Sequence, residues 1–150
     1  ITLALQANGV DVAAASFAQA LPQSGEPGTW ELTRYCVGEM AVVGGLGKLL
    51  AAFKLRFPSP GPALITFSDN RLSAGRLYEA VGFQRRGIVE PRYFFYKPSE
   101  GKRYHRFAFR KDELIRRGWL KDGETERECM RRMGYDRVWD GGKIKWVLPS

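Results

Sequence analysis

Apolar positions recur along the chain with two periods, and the switches between them mark out the elements. Thr2 to Gln6 and Val10 to Phe17 are short apolar runs separated by Ala7-Asn8-Gly9. Asn-Gly between two such runs predicts a β-hairpin, because both central residues of a type I′ turn need φ > 0. Ala18 to Thr29 holds Pro22, Gly25, Pro27 and Gly28 and reads as a surface loop. Trp30 to Cys36 alternates as a strand. Leu46, Leu49, Leu50, Phe53 and Phe57 then recur at steps of three and four, predicting a helix that opens on Gly44-Gly45-Leu46-Gly47-Lys48. Pro58 to Pro62 ends it. Ala63 to Ser68 is a continuous apolar run, suited to one buried strand.

Ser73 to Val81 has helical spacing, with Leu72, Leu77, Tyr78 and Val81 on one side and Gly82 as its cap. Phe83 to Val89 and Tyr93 to Lys97 read as strands, with Pro91 between them. Arg103 to Phe109 alternates as another. It would set His105, Phe107 and Phe109 on one face and Tyr104, Arg106 and Arg110 on the other, with Phe107 and Phe109 turned to the core. Lys111 to Arg117 is a short helix stopped by Gly118. Thr125 and Glu128 form a capping box that starts a helix through Met133, closed by Gly134. Tyr135 to Trp139 and Lys143 to Leu148 flank Asp140-Gly141-Gly142 and predict a second hairpin.

At 150 residues and 44% hydrophobic content the chain is long enough for one domain with its own core. No apolar run approaches the roughly 20 residues of a membrane span, so no membrane partner is expected. Cys36 and Cys129 are the only cysteines, too few for a disulfide scaffold; with the single His105 they are also too few for a tetrahedral zinc site, so no metal is expected. They read as small core residues in a reducing cytosol. No charged leader stands at Ile1, so secretion is not expected and an upstream segment is left open.

Charge changes this picture. Lys and Arg number 24 against 16 acidic residues, a net +8. From Ile1 to Phe83 six basic residues meet six acidic ones, so the whole excess falls in Gln84 to Ser150. Segregation of this kind points to a polyanion-binding face or to a solubilising extension. Lys102, Arg103, His105, Arg106, Arg110 and Lys111 crowd together, interleaved with aromatics. Arg127 and Arg131 are spaced to share one side of a helix. Cations of this type neutralise phosphates, and aromatics stack on bases or anchor a strand. His105 reads as a structural hydrogen-bonding residue or as a catalyst.

A strand entering a glycine turn and then a helix can hold an anion, because backbone N–H groups and the helix dipole face one point. Walker A fails here at Val42 and Leu49, and the dinucleotide fingerprint fails at Leu50. The turn alone reads either as a tight connection or as a phosphate cradle.

Gly44-Gly45-Leu46-Gly47-Lys48, the Ala63 to Ser68 strand and Leu77-Tyr78-x-x-x-Gly82-Phe83 together resemble the GNAT acetyltransferase superfamily over residues 1–97. That resemblance implies an α/β (α+β) fold with a mixed, mostly antiparallel sheet flanked by helices and lacking the family's first strand and helices. Residues 98–150 would be a basic helix-hairpin extension integral to the same domain. It implies acetyl-CoA or a related acyl donor at Val43, Gly44, Gly45, Gly47 and Lys48, and Tyr78 as the acid toward the leaving thiolate. The family's leading Gln or Arg of the turn is Val42 here. Tyr78 reads equally as a packing residue.

More finely, Trp30 to Cys36, Gly44 to Leu49, Ser68-Asp69, Gly75 to Phe83, Lys102 to Lys111, Thr125 to Met130 and Arg137 to Gly142 resemble, in that order, the phage Mom-like branch. That likeness implies DNA-base modification in a bacterial host cytoplasm, with Asp69 and Tyr78 catalytic. DNA would be held by Lys102, Arg103, His105, Arg106, Arg110, Lys111, Arg127 and Arg131. Similar domains follow nucleases in phage homing-type endonucleases, which implies the alternative of a non-catalytic DNA-binding domain with an upstream nuclease.

Overall fold

A computed structural model describes residues 1–40, 42–58 and 63–149. The chain divides into two compact units, Ile1–Val89 with Lys143–Ser150, and Glu90–Gly142. The division departs from the expected boundary after residue 97, because Tyr93–Lys97 pairs within the second unit and the last strand returns to the first.

The first unit is built on β1 (Thr2–Ala7), β2 (Val10–Gln19), β3 (Trp30–Val37), β4 (Ala63–Asp69), β5 (Gln84–Val89) and β9 (Lys143–Pro149). They form a six-stranded sheet in the order β1-β2-β3-β4-β9-β5. The β1–β2 hairpin forms as predicted, with Asn8 at φ 52° and Gly9 at φ 78°. Helix α1 (Gly45–Arg56) connects β3 to β4, which run parallel, whereas the other neighbours are antiparallel. Its periodic face is the buried one: Leu46, Leu49, Leu50 and Phe53 pack with Ala13, Ala15, Phe17 and Leu32 of the sheet. Phe53 stacks on Phe17 at 4.1 Å between centroids. Each such leucine or phenylalanine contributes roughly 1.5–3 kcal/mol by burial. The chain leaves α1 at Phe57; of the predicted stop, residues 59–62 lie outside the described residues.

Helix α2 (Arg76–Ala80) is shorter than its spacing suggested, and Leu72 and Leu77 are exposed. It ends in a Schellman motif: Phe83 N–H donates to the Tyr78 carbonyl and Gly82 N–H to that of Glu79. Gly82, at φ 94°, supplies the left-handed residue, and Phe83 is turned into the core.

The second unit holds β6 (Tyr93–Lys97), β7 (Lys102–His105) and β8 (Asp136–Trp139) in the order β7-β6-β8, with α3 (Lys111–Arg116) and α4 (Glu126–Arg132). Phe95, Phe109, Leu114, Cys129, Met130 and Tyr135 form its core. The capping box at Thr125 and Glu128 is present. Gly118 and Gly134 close α3 and α4 with the same Schellman pattern, each placing an aromatic, Trp119 or Tyr135, against the core.

Three expectations are corrected here. The second hairpin does not form: β8 pairs with β6, whereas β9 lies between β4 and β5. The Asp140 carboxylate accepts from the N–H groups of Arg92 and Gly142, and Asp140 N–H donates to the Arg92 carbonyl, so the turn binds back to the start of β6. The strand expected over Arg103 to Phe109 stops at His105, and Arg106–Phe109 is a 3₁₀ turn capped by His105 Nδ1, which accepts from Phe107 N–H. The turn breaks the alternation, so Phe109 is buried and Phe107 is 48% exposed. Cys36 is exposed; only Cys129 is a core residue.

The two units share the charge equally. The second unit has 14 basic and 10 acidic residues, and the first has 10 and 6, so each carries half of the +8. The surplus of the first unit stands on Arg85 and Arg86 of β5 and Lys143 and Lys145 of β9.

Candidate functional site

Strands β3 and β4 pair only through Trp30 with Leu64 and Glu31 with Ile65. Beyond that point they diverge, and each keeps its partner on the far side. The buried Thr66 hydroxyl donates to the Leu32 carbonyl at 2.8 Å, satisfying an acceptor at the branch of the fork. Thr33 has no partner opposite it: Ser16 faces Arg34 and Phe17 faces Leu32, so β3 bulges there. Because β3 and β4 are parallel, both of their C-terminal ends lie at the open side of the fork. In open α/β sheets ligands bind at that end.

The glycine turn follows β3 at this end. Gly44, at φ 68°, is the N-cap of α1, and no side chain caps the helix. The first N–H groups of a helix have no intrahelical acceptor. A Cβ on Gly45 would lie 2.7 Å from the Tyr35 hydroxyl and 3.0 Å from Val42 Cγ1, so a side chain there would displace one or the other. Gly44 and Gly47 face open space instead. Val43 is exposed, as is Lys48. The turn therefore offers backbone donors, a helix dipole and a lysine to a group approaching from solvent, with no side chain covering Gly44 or Gly47.

Asp69 ends β4 at the same side. Its carboxylate accepts from Arg71 Nε at 3.0 Å, Nη2 at 2.7 Å and the Arg71 N–H at 2.9 Å. These bonds hold its carboxyl down at about 2. Its carbonyl accepts from Leu72 and Ser73, so Asp69 also shapes the turn into α2. Tyr78 is half-buried, with its ring against Phe83 and Trp146. Trp146 of β9 is buried and donates from Nε1 to Ser68 Oγ at 2.9 Å. Gly75, at φ 79°, has no room for a Cβ beside the Trp146 indole.

Glu31 was not singled out by the sequence, where it is one acid in an alternating strand. It occupies the last paired position of β3, and burial pushes its carboxyl up while Lys143 opposes the shift. No local motif could have marked it, since Lys143 is far away in the chain.

The expected nucleic-acid residues fall into two groups in the second unit. Arg106 and Arg110 lie over the Phe107 ring at 5.1 and 4.1 Å, Arg103 lies over Phe94 at 5.4 Å, and His105 meets Phe94 and Phe107 edge-on. Lys102 is exposed on β7. Arg127 and Arg131 form a separate group on α4, and both line one cavity. Lys111 shares a second cavity with Arg127. The capping and ring contacts of His105 give it a structural task.

No family model matches the chain. No curated protein matches it either. Among solved structures it is similar to a ribosomal-protein-alanine N-acetyltransferase from Brucella melitensis, with a TM-score of 0.56 at 15% identity, covering 99% of this chain and 68% of that one. It is also similar to a Bacillus subtilis acetyltransferase in complex with CoA, with a TM-score of 0.54 at 14% identity over 99% and 76% of the two chains. An IAA acetyltransferase from Bacillus cereus gives 0.54 at 16% over 99% and 77%. The chain has a GNAT-like fold. Mixed α and β elements around a mostly antiparallel sheet agree with that architecture. No described helix is long and apolar enough to cross a membrane.

Proposed function

We propose that the protein is an acyltransferase-like enzyme that takes an acyl-CoA donor at the Gly44–Lys48 turn and modifies a base in DNA, as in the phage Mom-like branch. The carrying observation is the fork of β3 and β4, with a turn at its open end whose Gly44 and Gly47 face open space. The B. subtilis structure of similar fold is in complex with CoA, which supports this choice of donor. A pyrophosphate would lie on the N–H groups of Gly44, Leu46 and Gly47, the Gly45 N–H being donated to the Val42 carbonyl, with Lys48 adding charge.

The donor supplies an acyl thioester. An exocyclic base nitrogen forms the new C–N bond while the C–S bond breaks. The proton lost by nitrogen passes to a carboxylate, and the departing sulfur takes one from the Tyr78 hydroxyl. Asp69, at the end of β4 beside the turn into α2, would take that proton, while Glu31, raised by burial, stands on the face of β3 opposite Trp30 and Leu32. The Asp69 carbonyl also fixes the turn that carries Tyr78. DNA would meet the Arg103, Arg106 and Arg110 cluster, where Phe107 is exposed between guanidinium groups.

Mass analysis of nucleosides from duplex DNA incubated with acetyl-CoA tests this reading. A new acylated nucleoside is expected with the natural chain, and Tyr78→Phe is expected to remove it while DNA binding persists. An unchanged digest with the natural chain would overturn the enzymatic reading. Arg103→Ala with Arg110→Ala should flatten the salt dependence of DNA binding by about two charges; an unchanged slope would move DNA to another face.

A second reading, a non-catalytic DNA-binding domain accompanying a nuclease, is favoured by Val42 at the place of the family's Gln or Arg. It predicts DNA binding with no response to CoA.

A further inference from the structure

The second unit contains a cavity of about 470 Å³ lined by Arg127 and Arg131 of α4, Tyr135, and Asp136, Arg137 and Trp139 of β8. Arg137 was not among the expected nucleic-acid residues. Its guanidinium lies 4.3 Å from the centre of the Tyr93 ring and 5.7 Å from that of Phe95, and these rings fix its plane. Its Nε is buried and has no hydrogen-bond partner among the described residues. Buried donors without an acceptor are rare in native proteins, and here the Tyr93 and Phe95 rings take the place of one. No acceptor among the described residues therefore neutralises the guanidinium where it lines the cavity. No ion pair is formed by Arg127, Arg131 or Arg137 among the described residues. Lys97, Arg116, Arg117 and Arg132 of the same unit all have carboxylate partners.

Three guanidinium groups against the Asp136 carboxylate leave the cavity with two positive charges. A phosphate monoester carries about −1.5 to −2 at neutral pH and accepts bidentate bonds from arginine. Trp139 lines the same cavity and is 56% exposed, giving a flat apolar face to a ring beside the phosphate.

We propose that this cavity binds the terminal phosphate of a nucleotide, with Arg127, Arg131 and Arg137 on the phosphate and Trp139 against the base. The inference rests on the nucleic-acid part of the proposed function for its choice of a nucleotide, and it is independent of the donor turn. The phosphate has two sources, a free nucleotide or the 5′ end of a DNA strand.

Calorimetric titration of the full chain distinguishes them, using deoxyadenosine 5′-monophosphate, deoxyadenosine, and a single-stranded DNA decamer with and without a 5′-phosphate. The monophosphate is expected to bind at least about tenfold tighter than the nucleoside, and the phosphorylated decamer about tenfold tighter than its 5′-hydroxyl form. A phosphorylated decamer that outbinds the monophosphate identifies a strand end as the source, and equal affinities identify the free nucleotide. Arg137→Gln and, on exposed positions that leave the fold intact, Arg127→Gln with Arg131→Gln should each remove the preference for phosphate. Trp139→Leu should weaken the monophosphate and spare inorganic phosphate. Equal binding of both decamers and of nucleotide and nucleoside, or a preference that survives the paired arginine change, would overturn the site. If that happens while unmodified duplex still binds, the DNA reading stands without the cavity. Lost duplex binding with a retained phosphate preference has the opposite meaning.

Discussion

In the first unit the surplus cations, Arg85, Arg86, Lys143 and Lys145, stand on β5 and β9, while the aromatic core of Phe17, Trp30, Phe53 and Phe57 packs against itself. In the second unit arginines lie over the rings: Arg106 and Arg110 over Phe107, Arg117 over Phe109 and Trp119, Arg137 over Tyr93 and Phe95. Both units carry the same net charge, so the charge count does not separate them. What separates them is whether a cation is committed to a carboxylate, stacked on an aromatic, or left facing a cavity. The comparison also opposes long-range with local construction. The first unit is closed by β9, drawn in from the end of the chain, whereas the second is assembled from neighbours within one segment.

The largest expected effect separates two phenylalanines two residues apart. Phe109→Ala should cost about 3–5 kcal/mol by emptying the second core, whereas Phe107→Ala should stay within roughly 0.5 kcal/mol. Urea denaturation of both variants measures it, and similar losses would mean that Phe107 is packed. Gly75→Ala should cost about 2–4 kcal/mol, through its positive φ and its collision with Trp146. The same denaturation experiment should show that loss in the first unit. Thr125→Ala removes the capping box of α4 for about 1 kcal/mol, read as a small drop in denaturation midpoint.

The smallest effect is one of sign. Arg116 and Arg117 hold Glu113, and Arg132 with the Lys121 N–H holds Glu124, at about 2. A carboxyl whose folded value is depressed adds stability above its unfolded value of about 4.3, and that stability is lost as pH falls toward 2. Glu31 runs the other way: burial raises its value, so its ionised form costs stability above that raised value and the cost vanishes on protonation. Glu31→Gln should therefore stabilise the chain at pH 7 and not at pH 3, and Glu113→Gln should destabilise it at pH 7 and not at pH 2. Chemical denaturation across pH checks both signs; the same sign for the two variants would remove the contrast.

Much of the local structure was legible. Asn8-Gly9, the three- and four-residue steps of α1, the Thr125 capping box and the glycines ending α2, α3 and α4 act within a turn or two of themselves, so their signals stand in the sequence. The errors fall where a local signal has two outcomes. Asp140-Gly141-Gly142 makes a turn whether or not its flanking strands pair, and their separation is decided by Trp146 reaching Ser68 and Gly75 in the first unit. Alternation from Arg103 to Phe109 was a fair strand pattern until His105 capped a 3₁₀ turn within it. Of the candidate site, the turn and Tyr78 carried sequence motifs. Glu31, Thr66 and Arg137 did not, because the fork and the cavity arise from strand pairing between distant segments.

The central claim is that the turn at the head of α1 holds the CoA donor, and Gly47→Asp tests it most directly. The new side chain enters open space in the first turn of the helix, where an acidic group favours the dipole, so the fold should be kept. The same charge would repel a pyrophosphate. Calorimetric titration with CoA is expected to show binding to the natural chain and a loss of at least about tenfold in Gly47→Asp, a change of about 1.4 kcal/mol. Equal binding by both chains, or none by the natural chain, would contradict the account.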